Sequence, residues 1–104
     1  MKHYTVAEID ITDPGWIREY VEHTTRLVER HGGRYLARTG RCERVEGERT
    51  PPQVYVLIEW PSKQAADAFY NSEEYRPYLD SRRAGSEGQF VLIAGEDVNG
   101  VASM

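Results

Sequence analysis

An α+β sandwich is the fold this sequence predicts: four antiparallel strands with helices on one face, in the β-α-β-β-α-β order of a ferredoxin-like domain. Three observations predict it. An amphipathic helical pattern stops at Gly32-Gly33, and an arginine-bearing extended run follows at once. A second extended run, residues 53–60, is the most apolar piece of the chain and asks for a central place in a sheet. Between the two runs, Gly47, Pro51 and Pro52 mark residues 46–52 as the loop that joins them.

Each element follows in order. Residues 3–11 alternate imperfectly and are rich in β-branched and aromatic types, so they read as strand one. Asp13-Pro14 starts a helix, because Asp caps free amides and Pro suits the first helical position. Ile17, Tyr20, Val21, Thr24, Leu27, Val28 and His31 then share one helical face. Strand two runs from about 34 to 45 and strand three over 53–60. Pro61 stops strand three, and Ser62 caps a second helix with Ala65, Ala68 and Phe69 inward. A break at 71–76 and Pro77 give a third short helix to about residue 84, so the second helical segment is broken in two. Gly85 to Gly88 form a turn, and strand four is 89–94. Residues 1–95 thus form one domain, and 96–104 are a polar tail.

Composition excludes several functions. The chain has 104 residues, with 17 acidic against 13 basic groups and a net charge of −4. That disfavours nucleic acid, whose phosphates need a basic surface. No apolar run approaches the roughly 20 residues of a membrane span. The start of the chain shows no apolar signal block, and Cys42 is the only cysteine, so the expectation is a cytoplasmic protein without disulfides. His3, His23 and His31 lack a metal-ligand spacing, and there is no phosphate loop, dinucleotide fingerprint or nucleophile elbow. No metal and no cofactor are expected. Cys42 reads as a packing residue of strand two. In strand three, Val54, Val56, Ile58 and Trp60 share one face while Tyr55 and Leu57 occupy the other. Helices cover one face, and a second copy is the natural cover for the other, giving a two-fold homodimer.

Taken together, Asp13-Pro14, Tyr20, the run His31-Gly32-Gly33-Arg34-Tyr35-Leu36-Ala37-Arg38, Glu46-Gly47, Ile58-Glu59-Trp60-Pro61-Ser62, Ala65, Ala68, Ser72-Glu73-Glu74-Tyr75, Arg82-Arg83 and Val91-Leu92-Ile93 with Gly95 resemble domain-of-unknown-function family 1330. The resemblance spans residues 3–95. It implies a dimeric α/β barrel, in which two ferredoxin-like sheets pack face to face. The wider superfamily is similar to cofactor-free monooxygenases of antibiotic biosynthesis, muconolactone isomerases and haem-dependent chlorite dismutases. The family itself has no agreed activity, and fold does not fix function.

The candidate site residues are Arg38, His31, Tyr20, Tyr75 and Arg82. With the loop centred near residues 48 and 49, Arg38 lies opposite Glu59. It reads as a cross-strand ion pair, or as an anion site for a carboxylate or enolate. His31 reads as a helix C-terminal histidine, or as a proton carrier. Tyr20, Tyr75 and Tyr78 read as core residues, or as an aromatic pocket wall. Arg82 and Arg83 read as solvated cations at the end of the last helix, or, for Arg82, as the one that faces inward with Tyr75 and Tyr78. Two functions fit. One is binding of a small acidic or aromatic ligand between sheet and helices. The other is a cofactor-independent monooxygenase or isomerase acting on an enolisable or aromatic substrate.

Overall fold

The computed structural model describes residues 1–100. The elements are β1 (His3–Ile11), a 3₁₀ turn (Pro14–Trp16), α1 (Ile17–Arg30), β2 (Arg34–Thr39), β3 (Val54–Trp60), α2 (Lys63–Tyr70), α3 (Arg76–Ala84) and β4 (Ser86–Ala94). All pairings are antiparallel, and the strand order is β2-β3-β1-β4. This is the predicted ferredoxin-like α+β sandwich, with its second helical segment in two pieces.

Local chemistry sets the element ends. The Asp13 carboxylate accepts the Gly15 N–H at 3.0 Å, and Pro14 opens the turn that feeds α1. At the other end of α1 the two glycines do different work. Gly32 takes a φ of 84°, the left-handed value that ends the helix. Gly33 is needed for space: a Cβ there would stand 2.6 Å from Val28 Cγ1 and 2.7 Å from Trp60 Cζ3. Ser62 Oγ accepts the Ala65 N–H at 3.1 Å and starts α2.

Four expectations need correction. Strand two ends at Thr39 rather than near residue 45, because Thr39 Oγ1 captures the Arg41 N–H at 2.9 Å and turns the chain out of the ladder. Cys42 consequently lies exposed in the loop instead of packing in a strand. On α2 the inward residues are Ala66 and Phe69, while Ala68 is exposed, since neighbours on a helix point about 100° apart. β4 begins at Ser86, three residues early. Gly88, at φ 152°, stays in the ladder where a Cβ would collide with the Glu8 carbonyl.

The core lies between sheet and helices. Ala7, Ile9, Val56, Ile58 and Trp60 point up from the sheet, and Leu27, Val28, Ala66, Phe69, Tyr75 and Leu79 come down from the helices. The Trp60 indole N–H is satisfied by Thr5 Oγ1 at 2.8 Å. The opposite sheet face carries no helix. There Val91 and Ile93 of the edge strand β4 are 40% and 45% exposed, and Leu36 is exposed on the opposite edge strand, β2. The Gly95 N–H bonds to the Lys2 carbonyl at 2.8 Å and closes the sheet. Val98–Gly100 form a 3₁₀ turn, and residues 101–104 of the expected tail lie outside the described residues. Among the described residues no helix is long and apolar enough to cross a membrane.

Candidate functional site

A cavity of about 410 Å³ opens between the sheet and the helices. All four strands floor it, through Tyr35 and Arg38 of β2, Val54, Val56 and Ile58 of β3, Thr5, Ile9 and Ile11 of β1, and Phe90 and Leu92 of β4. Tyr20, Val21, Thr24 and Val28 of α1, with Ala66, Phe69, Tyr70 and Tyr75, form the roof. Exposed Val21 and Arg38 mark one rim, and exposed Tyr70 and Asn71 mark another.

A run of touching aromatic rings climbs from the sheet into the roof. Trp60 meets Phe69 at 5.3 Å between centroids, Phe69 meets Tyr75 at 4.3 Å, Tyr75 meets Tyr20 at 6.1 Å and Tyr20 meets Trp16 at 5.1 Å. Trp16 is pinned by its indole N–H, which donates to the Gly85 carbonyl at 3.0 Å. The Tyr20 and Tyr75 hydroxyls share a hydrogen bond of 2.6 Å. Burial pushes both phenols above their ordinary pKa, Tyr20 the further, and the nearby Arg82 charge pulls each back.

Arg82 is only 7% exposed. Its guanidinium lies 3.9 Å over the Phe90 ring and 6.0 Å from the Tyr20 ring. Its Nε–H has no hydrogen-bond partner. Burial works against its charge, but the Tyr20 and Tyr75 oxygens outweigh it, so its pKa is raised. Among the described residues no carboxylate lies within ion-pair distance of it.

Arg38 stands elsewhere than the sequence predicts. Its strand partner is Val56, and Glu59 faces Arg34 instead. The loop-side pairs Ala37–Leu57, Arg38–Val56 and Thr39–Tyr55 centre the hairpin on Gly47, and the bulge between Tyr35 and Ala37 shifts only the pairs beyond it, Tyr35–Ile58 and Arg34–Glu59. Glu59 takes Lys2 at 2.7 Å and Arg34 at 3.0 Å. Arg38 therefore has no ion pair with Glu59. It lies 3.8 Å over the Tyr35 ring and donates to Thr25 Oγ1 at 2.7 Å. Burial pushes the Tyr35 phenol up to about 12, against the opposing pull of Arg38.

His31 is not in the cavity wall. Its Nδ1 meets the Leu27 carbonyl at 2.8 Å, and its ring lies edge-on to Phe69. Tyr78 stacks on His23 at 5.1 Å, away from the Tyr20–Tyr75 pair. The cavity thus brings Tyr20, Tyr75 and Arg38 together, with Arg82 packed behind the two phenols, and leaves His31 outside. Sequence reasoning missed Tyr35, Thr25 and Phe90. The alternation Tyr35, Arg38 against Val56, Ile58 carries a usable signal for Tyr35 only once the bulge is known. Among the described residues no group of three His, Cys, Asp or Glu side chains could hold a metal.

Such a helix-roofed sheet with an aromatic, arginine-bordered cavity defines a ferredoxin-like α+β protein with room for a small molecule. The chain belongs to the family described as a domain of unknown function, DUF1330, whose model matches residues 2–96. No curated protein matches it in sequence. Among solved structures it is similar to a protein of unknown function from Rhodopseudomonas palustris, at 13% identity and a TM-score of 0.78, covering 92% of this chain and 83% of that one. It is also similar to SnoaB, a cofactor-independent oxygenase from Streptomyces nogalater, at 18% identity and a TM-score of 0.64, covering 92% and 94%. A de novo designed protein, Foldit4, is similar at 14% identity and a TM-score of 0.60, covering 92% and 100%.

Proposed function

We propose that this protein is a small homodimer that binds an acidic or aromatic organic ligand between sheet and helices. One observation carries the reading: a largely apolar cavity of about 410 Å³ is bordered by Arg38 and backed by Arg82, and neither has a carboxylate partner among the described residues. Small-ligand sites are built this way, with apolar walls and a few placed polar groups. An arginine without an internal counter-ion is a group for an external one. The second copy covers the open sheet face, where Val91, Ile93 and Leu36 are exposed. The lone, exposed Cys42 fits a reducing cytoplasmic setting.

A second reading is a cofactor-independent oxygenase or isomerase. The likeness to SnoaB and the Tyr20–Tyr75 hydroxyl pair favour it. In that version an arginine stabilises developing negative charge. The proton carrier is the tyrosine pair, because the Nδ1 of His31 is engaged by the Leu27 carbonyl.

Native mass spectrometry on gently purified protein tests the binding reading, followed by thermal shift with phenols and aromatic carboxylates. The expected result is a dimer, with retained mass or a raised melting temperature. A bare monomer that no compound stabilises overturns it. Oxygen uptake or isomerisation lost in Tyr75→Phe would favour the enzyme instead.

A further inference from the structure

We propose that the cavity reads its ligand at two ends, and that the ligand is an elongated planar aromatic acid. Its carboxylate lies at Arg38, and a phenolic or enolic oxygen lies at the Tyr20–Tyr75 pair. This rests on the binding reading above and names the ligand class.

Register supplies the geometry. Arg38 pairs with Val56, Val56 with Ala7, and Ala7 with Phe90, so the four residues form one row straight across the sheet. Arg38 stands at one end of that row, and the Arg82 guanidinium lies 3.9 Å over Phe90 at the other. Three strand spacings separate the two ends, about 14 Å. The cavity runs over the same four strands. A ligand filling it lengthwise therefore meets the Arg38 guanidinium at one end, apolar side chains between, and at the other end the Tyr20 and Tyr75 phenols with Arg82 behind them.

The two ends differ in kind. Arg38 is exposed and is fixed by the Tyr35 ring and Thr25 Oγ1, which use one face and one N–H. Its other N–H groups are free for a fork on a carboxylate that stays partly hydrated. Arg82 is buried, does not itself line the cavity, and sits behind two cavity-lining phenols. A charge seated there would be expensive to desolvate. A hydroxyl or enol oxygen fits better, hydrogen-bonded to the tyrosine pair, whose polarity Arg82 reinforces. Tyr20 and Tyr75 between them have two hydroxyl protons. One closes their mutual bond at 2.6 Å, which leaves the other to donate to a ligand oxygen.

Calorimetric titration with four two-ring probes tests this: 6-hydroxy-2-naphthoate, 2-naphthoate, 2-naphthol and naphthalene. The hydroxynaphthoate is expected to bind most tightly. Arg38→Ala, an exposed position, should weaken both carboxylates about tenfold, the value of one charge-assisted hydrogen bond, and leave 2-naphthol unchanged. Tyr75→Phe should weaken the two hydroxylated probes and spare 2-naphthoate, with its melting curve checking that it folds. If 2-naphthol and naphthalene bind but Arg38→Ala treats all probes alike, the two-ended assignment fails and the binding reading survives. If none of the four binds, both fail.

Discussion

Gly33 has no room for a side chain, and that makes it a sharp test of the packing between α1 and β3. Gly33→Ala should cost about 1–3 kcal/mol as Val28 and Trp60 are pushed aside, read as a lower urea midpoint. Thr5 is the next such residue, since it alone satisfies the Trp60 indole N–H. Thr5→Val leaves that donor buried and unpaired, at a cost of about 1–3 kcal/mol in the same assay. The tyrosines add a pH dependence. Tyr20, Tyr35 and Tyr75 are all raised in the folded chain, chiefly by burial. An unfolded tyrosine ionises near about pH 10, so above that the native state holds more protons than the unfolded one. Stability is therefore complete below about pH 10 and falls as pH rises past it. Ultraviolet titration at about pH 11 should show Tyr20 and Tyr35 still protonated in native protein and ionised in denaturant.

Among the elements, the β2–β3 hairpin is the instructive one. Glu59 is held below the usual carboxylate range, first by its hydrogen bond from Lys2 and also by Arg34. A depressed acid stabilises the fold above its unfolded pKa, and the effect is lost as pH falls through the lowered folded value. Glu59→Gln should therefore lower the melting temperature at neutral pH, with the gap to the parent narrowing as pH falls below the ordinary glutamate value of about 4.3. At α2, Ser62→Ala removes a cap bond and should cost about 1 kcal/mol. Caps, the Gly32–Gly33 pair and the apolar stripe of α1 were all readable from residue order, because each acts within a turn or two of itself. The partner of Arg38 was not. The cross-strand partner depends on where the loop folds, on Gly47 rather than at residues 48 and 49, and that leaves no local mark; the bulge between Tyr35 and Ala37 shifts only the pairs beyond it. Gly88 misled for a related reason, since its absent side chain serves the neighbouring Glu8 carbonyl and not a turn. The cavity itself was half legible. Tyr20 and Arg82 are spaced along their helices so as to face inward, and Tyr75 faces inward from the cap of α3. Their meeting with Phe90, contributed by the last strand, depends on long-range register.

At the scale of the whole molecule, one sheet face is roofed and the other bare. Ile93→Glu places a charge on the bare face beside Val91 and should give a monomer by light scattering, with the helix-side cavity intact. The buried Arg82 has a further consequence. Its Nε–H has no hydrogen-bond partner among the described residues, and an unpaired buried donor costs stability. Any molecule that satisfies this region from the cavity side stabilises the folded chain by mass action. On the binding reading, occupancy and lifetime are linked: scarce ligand means more frequent unfolding and faster proteolysis, and abundant ligand means persistence. The amount of this protein in a cell would itself be a gauge of how much ligand the cell contains.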